Sequence, residues 1–370
     1  MKLSYWEYKT WLSNIDFTIV GSGIVGLNCA LHLKKRFPSA KILVLEKGIL
    51  PQGASTKNAG FACFGSISEI LADLKQHTED EVLQLVKKRW DGVQLLRQNI
   101  GDVNMDFQNH GGHEVFMEAH TELHQSCLEN IGKVNQLLAP VFGNDGFQAH
   151  PNSFNFTGIQ EQYITNTFES QIDTGKMIAA LLQKVQKAGV VILNAIQVEA
   201  FEDAQGYVAV KTDQFEFKTD KLLVATNGFA SQLIHEDVQP ARAQVLVTKP
   251  IENLKILGTF HLDEGYYYFR NIEDRILFGG GRNLDFKGEE TTSLEQTELI
   301  QNKLDDILKH IILPNTPFEV DQRWSGIMGM GTQKCPIIKQ ISENVSCGVR
   351  LGGMGIAIGS LIGKELAELV

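Results

Sequence analysis

The chain has 370 residues, of which 43% are hydrophobic and 21% charged, and it carries a formal net charge of −10. That length is about twice a common domain, so two units sharing one cleft are expected, and the hydrophobic share excludes global disorder. The acidic balance argues against nucleic acid as the main partner.

Residues 1–14 (MKLSYWEYKTWLSN) are aromatic and polar, without the apolar core and small-residue cleavage site of an export signal. Residues 15–21 (IDFTIVG) are β-branched and apolar, as a buried parallel strand requires. They run into Gly21-Ser22-Gly23-Ile24-Val25-Gly26, a complete GxGxxG, and Leu27, Ala30, Leu31 and Leu33 follow at helical spacing. Lys34, Lys35 and Arg36 suit the C-terminal end of that helix, and Pro38 stops it. A second apolar strand, 41–45 (KILVL), leads to Glu46 and Lys47. Gly21 permits the tight turn, Gly23 lets backbone approach a pyrophosphate, and Gly26 lets helix pack on strand. Ile24 and Val25 open the helix, whose free N–H groups and dipole face the phosphates. Glu46, about 20 residues past the last glycine, sits where a carboxylate accepts hydrogen bonds from a ribose. The order predicts a dinucleotide site without separating FAD from NAD.

Residues 47–66 (KGILPQGASTKNAGFACFGS) favour FAD. Small residues let backbone lie against a flat ring system, and Ser55, Thr56 and Asn58 offer polar groups to phosphate and ribityl oxygens. Here the sequence resembles, over nearly its whole length, the D-amino-acid oxidase-like FAD-dependent oxidoreductases, the family of glycine oxidase and sarcosine oxidase. Gly53-Ala54-Ser55-Thr56-Lys57-Asn58-Ala59-Gly60 is similar to that family's second FAD motif. Asp173-Thr174-Gly175, the amphipathic stretch after it and Gly189-Val190-Val191-Ile192 resemble its returning helix and strand. The resemblance implies that 195–198 passes the adenine, with Val198 touching it through backbone. Residues 221–228 (KLLVATNG) resemble the strand that returns under the cofactor, and bring Thr226, Asn227 and Gly228 to the site. Trp324-Ser325-Gly326, Pro336-Ile337-Ile338 and Leu351-Gly352-Gly353-Met354-Gly355-Ile356 resemble the closing flavin motif. Gly352, Gly353 and Gly355 mark a strand-to-helix turn whose N–H groups can face an anion, which would favour reduced flavin. The helix after it, 358–369, is expected to pack back on the sheet.

The implied fold class is α/β: a discontinuous Rossmann-like FAD-binding domain with a mixed or antiparallel-sheet substrate domain. The first is expected at 1–80, 171–242 and 320–370, the second at 81–170 and 243–319. Within the second, 244–248 alternates, and 265–270 (GYYYFR) with 275–280 predicts a hairpin turning at 271–274. Residues 289–310 read as a surface helix buried through Ile300, Leu304, Ile307 and Leu308.

The resemblance implies oxidation of a C–N bond: hydride passes from the substrate α-carbon to flavin N5, and the imine hydrolyses. The expected substrate is an amino acid or a primary or secondary amine, with oxygen or another acceptor taking the electrons. Glycine oxidase-like members hold the substrate carboxylate with an arginine shortly after Trp-x-Gly, and here Met328 stands at that place. Arg270, Arg282 and Arg350 are the candidate cations. Arg270 ranks first because it follows three tyrosines on a strand bordering the pocket; Arg350 adjoins the closing glycine turn. Alternation puts Tyr266 and Tyr268 on one face and Tyr267 on the other, and Tyr268 joins Arg270 and Arg350 as the candidate catalytic set. His110 and His113, in a glycine-containing turn, read either as pocket groups or as surface residues. Sarcosine oxidase-like members also use a lysine near the flavin for oxygen activation. Residues 276–279 supply none, so a dehydrogenase stays open.

Cys29, Cys63, Cys127, Cys335 and Cys347 stand singly, as reduced thiols of a cytoplasmic protein do, with no spacing for zinc or an iron–sulfur cluster. Cys335 falls too late for the cysteine of covalent relatives, so noncovalent FAD is expected and no metal. No apolar run reaches the length of a membrane span. Three other readings remain: an FAD-dependent 2-hydroxy-acid dehydrogenase, an RNA-modifying flavoprotein, and a flavin-bearing assembly factor without turnover.

Overall fold

The computed structural model describes residues 3–370. A short helical segment capped by Ser4 precedes β1 (Ile15–Val20), which passes through the glycine turn into α1 (Ile24–Arg36) and on to β2 (Ile42–Leu45). Then come β3 (Phe61–Ala62), α2 (Ile67–Leu74), α3 (Glu79–Ile100), β4 (Gly112–Val115), α4 (Thr121–Phe142), β5 (Phe147–Pro151), β6 (Gln162–Asn166) and β7 (Ser170–Gln171). The middle of the chain forms α5 (Thr174–Lys187), β8 (Val191–Leu193), β9 (Val198–Ala204), β10 (Tyr207–Thr212), β11 (Glu216–Val224) and β12 (Gln239–Thr248). It continues with β13 (Thr259–Leu262), β14 (Tyr267–Ile272), β15 (Arg275–Gly280) and α6 (Glu298–Ile307). The chain closes with β16 (Val320–Met330), β17 (Ile337–Gln340), β18 (Val345–Val349) and α7 (Gly355–Glu368).

Two large sheets organise these elements. The first has the order β17-β18-β11-β1-β2-β8, with β10 and β9 added as antiparallel strands beside β11. Its strands β18, β11, β1, β2 and β8 run parallel, and β2 is buried at every position, with Ile42 and Val44 packed among helical residues and Leu43 and Leu45 against β9 and β10. The second sheet runs β16-β12-β15-β14-β13-β4-β6-β5 and is antiparallel except where β13 meets β4. This is the α/β architecture the motifs imply, a Rossmann-like unit beside a mixed sheet.

Alternation on β14 decides what the second sheet presents. Tyr267 and Phe269 enter a core with Phe260 and Phe278, where the Phe260 and Phe269 rings stack 4.5 Å apart. Tyr268 faces the other way, against Phe61. The hairpin turns at Glu273 and Asp274, close to its expected position.

Three expectations need correction and one needs refinement. β16 pairs along its whole length with β12, so residues 320–330 belong by hydrogen bonding to the second sheet rather than the first. Helix α3 falls in the stretch assigned to the substrate unit, yet it packs on α7: Gly92 leaves room for the Ala357 carbonyl. Helix α7 meets the sheet at Gly348 of β18 through Ile362 and Leu366, but it rests chiefly on α1 and α3, because Gly359 and Gly363 let it approach Ile24 and the Val25 carbonyl closely. The helix read over 289–310 starts only at Glu298. Its expected apolar face is buried, but Glu289 is drawn inward by Arg242, which holds the preceding segment out of helical register.

Candidate active site

A cavity of about 860 Å³ joins the C-terminal ends of β1 and β2 to the loop 52–63 and to the inner faces of β12, β13, β14 and β16. Such a volume lies in the upper part of the range for small-molecule pockets.

At the β1–α1 end the backbone prepares an anion site. Helix α1 starts directly after Gly23 with no side-chain cap of its own, so its first N–H groups are free for other acceptors. One of them, from Ile24, donates to Ser55 Oγ at 2.9 Å, which ties the second motif to the first. Gly21, Gly23, Ile24 and Val25 line the cavity; Gly26 does not, and packs α1 on the strand instead. Glu46 is buried, with both oxygens fixed. Oε2 accepts from Ser22 N at 3.0 Å and Ser22 Oγ at 2.7 Å, and Oε1 accepts from Gly48 N at 3.0 Å. Lys47 and Val198 complete this end.

Ala54, Ser55, Asn58, Ala59 and Gly60 line the middle of the cavity, while Thr56 turns away and donates to the Pro51 carbonyl at 2.6 Å. Trp324 Nε1 donates to the Lys57 carbonyl at 3.0 Å, and Gly326 accommodates the Lys57 side chain. At the far end stand Thr226, Asn227, Gly352, Gly353, Met354, Gly355 and Ile356. Asn227 Oδ1 accepts from Leu351 N at 3.1 Å, locking the turn before α7, whose N-terminus has no side-chain cap. Gly228 lies outside the wall and makes room for the Met328 carbonyl.

Among the candidate substrate residues, Tyr268 and Tyr266 line the cavity, and burial pushes the Tyr268 hydroxyl up to about 12, so it stays protonated. Arg270 does not reach the wall. It is buried beside Gly60 with Nε unpartnered, and burial pulls its guanidinium down to about 10, still charged at neutral pH. Arg350 is also elsewhere: it donates to the Cys335 carbonyl at 3.0 Å and pairs with Asp237 at 2.7 Å, which holds the closing loop together. Of the three arginines named from the sequence, Arg282 lines the cavity, its charge over the Phe286 ring at 4.8 Å. Met328 lines it too. His113 belongs to an aromatic core, bonded to Thr165 Oγ1 at 2.8 Å, and burial pulls its imidazole down to about 4. His110 is exposed.

Sequence reading missed His261 and Glu169. His261 lies on β13 opposite Tyr268 and forms part of the cavity wall, with Phe61 edge-on to both rings. Its Nε2 is 3.5 Å from Glu169 Oε2, an ion-pair distance rather than a well-formed hydrogen bond. A single signal pointed to it: an imidazole set between Phe260 and Leu262 in a short strand. Glu169 sits in an irregular turn and gave none.

The profile of the family described as "FAD dependent oxidoreductase" matches residues 16–369. The chain belongs to that family. It is similar to the probable oxidoreductase OrdL of Haemophilus influenzae, at 21% identity over 98% of this chain and 84% of the relative. It is also similar to the gamma-glutamylputrescine oxidoreductase of Escherichia coli, at 20% identity over 96% and 83% of the two chains. Among solved structures, iminodiacetate oxidase from Chelativorans sp. BNC1 superposes with a TM-score of 0.76 at 17% identity, covering 95% of this chain and 94% of that one. L-proline dehydrogenase from P. horikoshii gives 0.74 at 18% identity, covering 96% and 93%.

For this FAD-dependent oxidoreductase the residues present fit the cofactor. The uncapped α1 N-terminus suits a pyrophosphate, the fixed Glu46 carboxylate suits a ribose, and the uncapped α7 N-terminus suits the electron-rich edge of a reduced ring. Glu46→Gln is expected to weaken FAD binding about 10- to 100-fold, the worth of a charged acceptor. Fluorescence titration of the apoprotein with FAD measures it. Among the described residues no helix is long and apolar enough to cross a membrane.

Proposed function

We propose that this oxidoreductase oxidises the C–N bond of an amine or amino acid, with FAD held noncovalently and the imine product lost to hydrolysis. The unit built on the first sheet holds the cofactor; the second sheet, with β16, roofs the substrate. Bound FAD would supply the hydride acceptor, N5 of its ring. The carrying observation is that the cofactor cradle opens directly onto a pocket in which Phe61, Tyr268 and Met328 stand beside Arg282 and His261. Such a pocket positions a small substrate beside the cofactor, as hydride transfer requires. With Met328 at the place of the family's arginine, Arg282 is, of the three arginines named from the sequence, the one on the wall for a substrate carboxylate to meet. Relatives named for proline, iminodiacetate and gamma-glutamylputrescine support a nitrogen-bearing substrate.

Anaerobic mixing of the FAD-loaded protein with sarcosine, L-proline, iminodiacetate and gamma-glutamylputrescine tests the reading. Bleaching of the oxidised flavin by at least one is expected, and reoxidation by air or only by an artificial acceptor then separates oxidase from dehydrogenase. Bleaching by 2-hydroxyglutarate alone would replace this proposal with the hydroxy-acid reading.

A further inference from the structure

Oxidation of a C–N bond needs the nitrogen lone pair, whereas most amines reach the enzyme as ammonium ions. One proton must therefore leave the substrate before hydride does, and the cavity wall holds a pair of residues built for it. We propose that His261, held by Glu169, accepts that proton. The proposal rests on the C–N reading above. The substrate N–H bond breaks and an N–H bond forms at the imidazole, while the electron pair stays on the substrate nitrogen. Hydride then leaves the α-carbon for FAD, so the C–N bond is oxidised and the cofactor reduced.

The geometry is specific. Glu169 is 1% exposed, and its Oε1 accepts from Phe64 N at 2.8 Å and Gly65 N at 3.3 Å, which leaves Oε2 toward His261. Any side chain at Gly112 would collide with that Oε2, so a bare backbone on β4 is what lets the carboxylate reach the imidazole. Nε2 itself makes no formed hydrogen bond, and the residue belongs to the cavity wall.

Charge explains why the pair would act as a base. With a neutral imidazole the pair carries one negative charge, which attracts an ammonium ion. Proton transfer leaves a neutral amine and a net-neutral pair, so two opposite charges are discharged in a low-dielectric site. Neighbouring elements add to this. Glu69 on α2 and Glu114 on β4 act on His261 from nearby, while His113 on β4, which burial keeps neutral, adds no charge there at neutral pH. Cys63 is within 4.8 Å of the pair, and burial, with Glu169 second, pushes its thiol up, so it contributes no charge at neutral pH. Tyr268 likewise stays protonated. Burial alone would pull the imidazole's pKa down; Glu169, with Glu69 and Glu114, outweighs it, and the net direction is up.

Anaerobic stopped-flow reduction of the FAD-loaded protein by whichever amine of the panel bleaches it, followed from about pH 6 to 9, tests the proposal. The wild-type rate should rise with pH through the titration of the pair. His261→Gln should be slowed about 100-fold and lose that rise, with FAD content unchanged. Glu169→Gln should move the rise to lower pH. A His261→Gln protein within about twofold of wild type and with the same pH profile overturns the proposal. Histidine-labelled NMR of the FAD-loaded protein separates this from failure of the C–N reading. His261 should titrate above the ordinary imidazole value in wild type and lower in Glu169→Gln. If no amine bleaches the flavin the C–N reading falls, and this proposal with it, whereas identical titration of His261 in the two proteins rejects the pair alone.

Discussion

Gly26→Ala is expected to give a protein about 1–3 kcal/mol less stable that retains little FAD after purification. An added Cβ would strike the Gly21 carbonyl, lying 3.1 Å from its carbon and 3.2 Å from Ile19 Cγ2. All three partners are β1 or the glycine turn itself, so relief means moving α1 off the strand. That motion displaces the Ile24 N–H and its bond to Ser55, and with them the anion site. Urea unfolding and the flavin-to-protein absorbance ratio measure the two consequences. A full complement of FAD with unchanged stability would show that the helix moves at no cost. The residue is a cofactor residue only in the indirect sense that it places the helix.

Arg242→Met is expected to cost about 3–5 kcal/mol, because it strips a buried carboxylate of its partner. Arg242 donates to Glu289 through Nε at 2.8 Å and Nη2 at 2.7 Å, and the two side chains are 6% and 1% exposed. Gln244 adds a donor to the same carboxylate at 3.0 Å, too little to carry a full charge alone. Adding Glu289→Leu to the first substitution should recover most of the loss, since removal of both charges leaves no unpaired ion. Denaturant midpoints for the two variants check this, and a double variant no more stable than the single would refute it.

The legible part of the cofactor site was contiguous in the chain. Gly21, Gly23, Glu46 and Ser55 meet on one cavity wall, a grouping readable because turn, strand and helix chemistry act over a few residues, and each step constrains the next. The closing turn, Gly352 to Gly355, was readable for the same reason. Thr56 was misjudged within its own motif: composition gives a hydroxyl, but not the direction it takes, and the Pro51 carbonyl captured it.

The substrate side failed where strand order mattered. Alternation grouped Tyr266 with Tyr268 but left open which face of β14 meets the cavity; Arg270 shares the Tyr268 face, yet the cavity ends between them, at Gly60. Arg350 looked available beside the glycine turn, yet Asp237, more than a hundred residues away in sequence, claims it. Glu169 and His261 meet because β13 pairs with β4 and Gly112 leaves space between them. No local pattern encodes such a meeting.

By itself, then, the sequence determined the strand–turn–helix and the cofactor class, since glycine spacing and hydrophobic period are short-range constraints that survive any packing. Only the tertiary structure decided which charges face the cavity. Long-range strand pairing sets that, and a buried charge goes to whichever partner the pairing brings within reach.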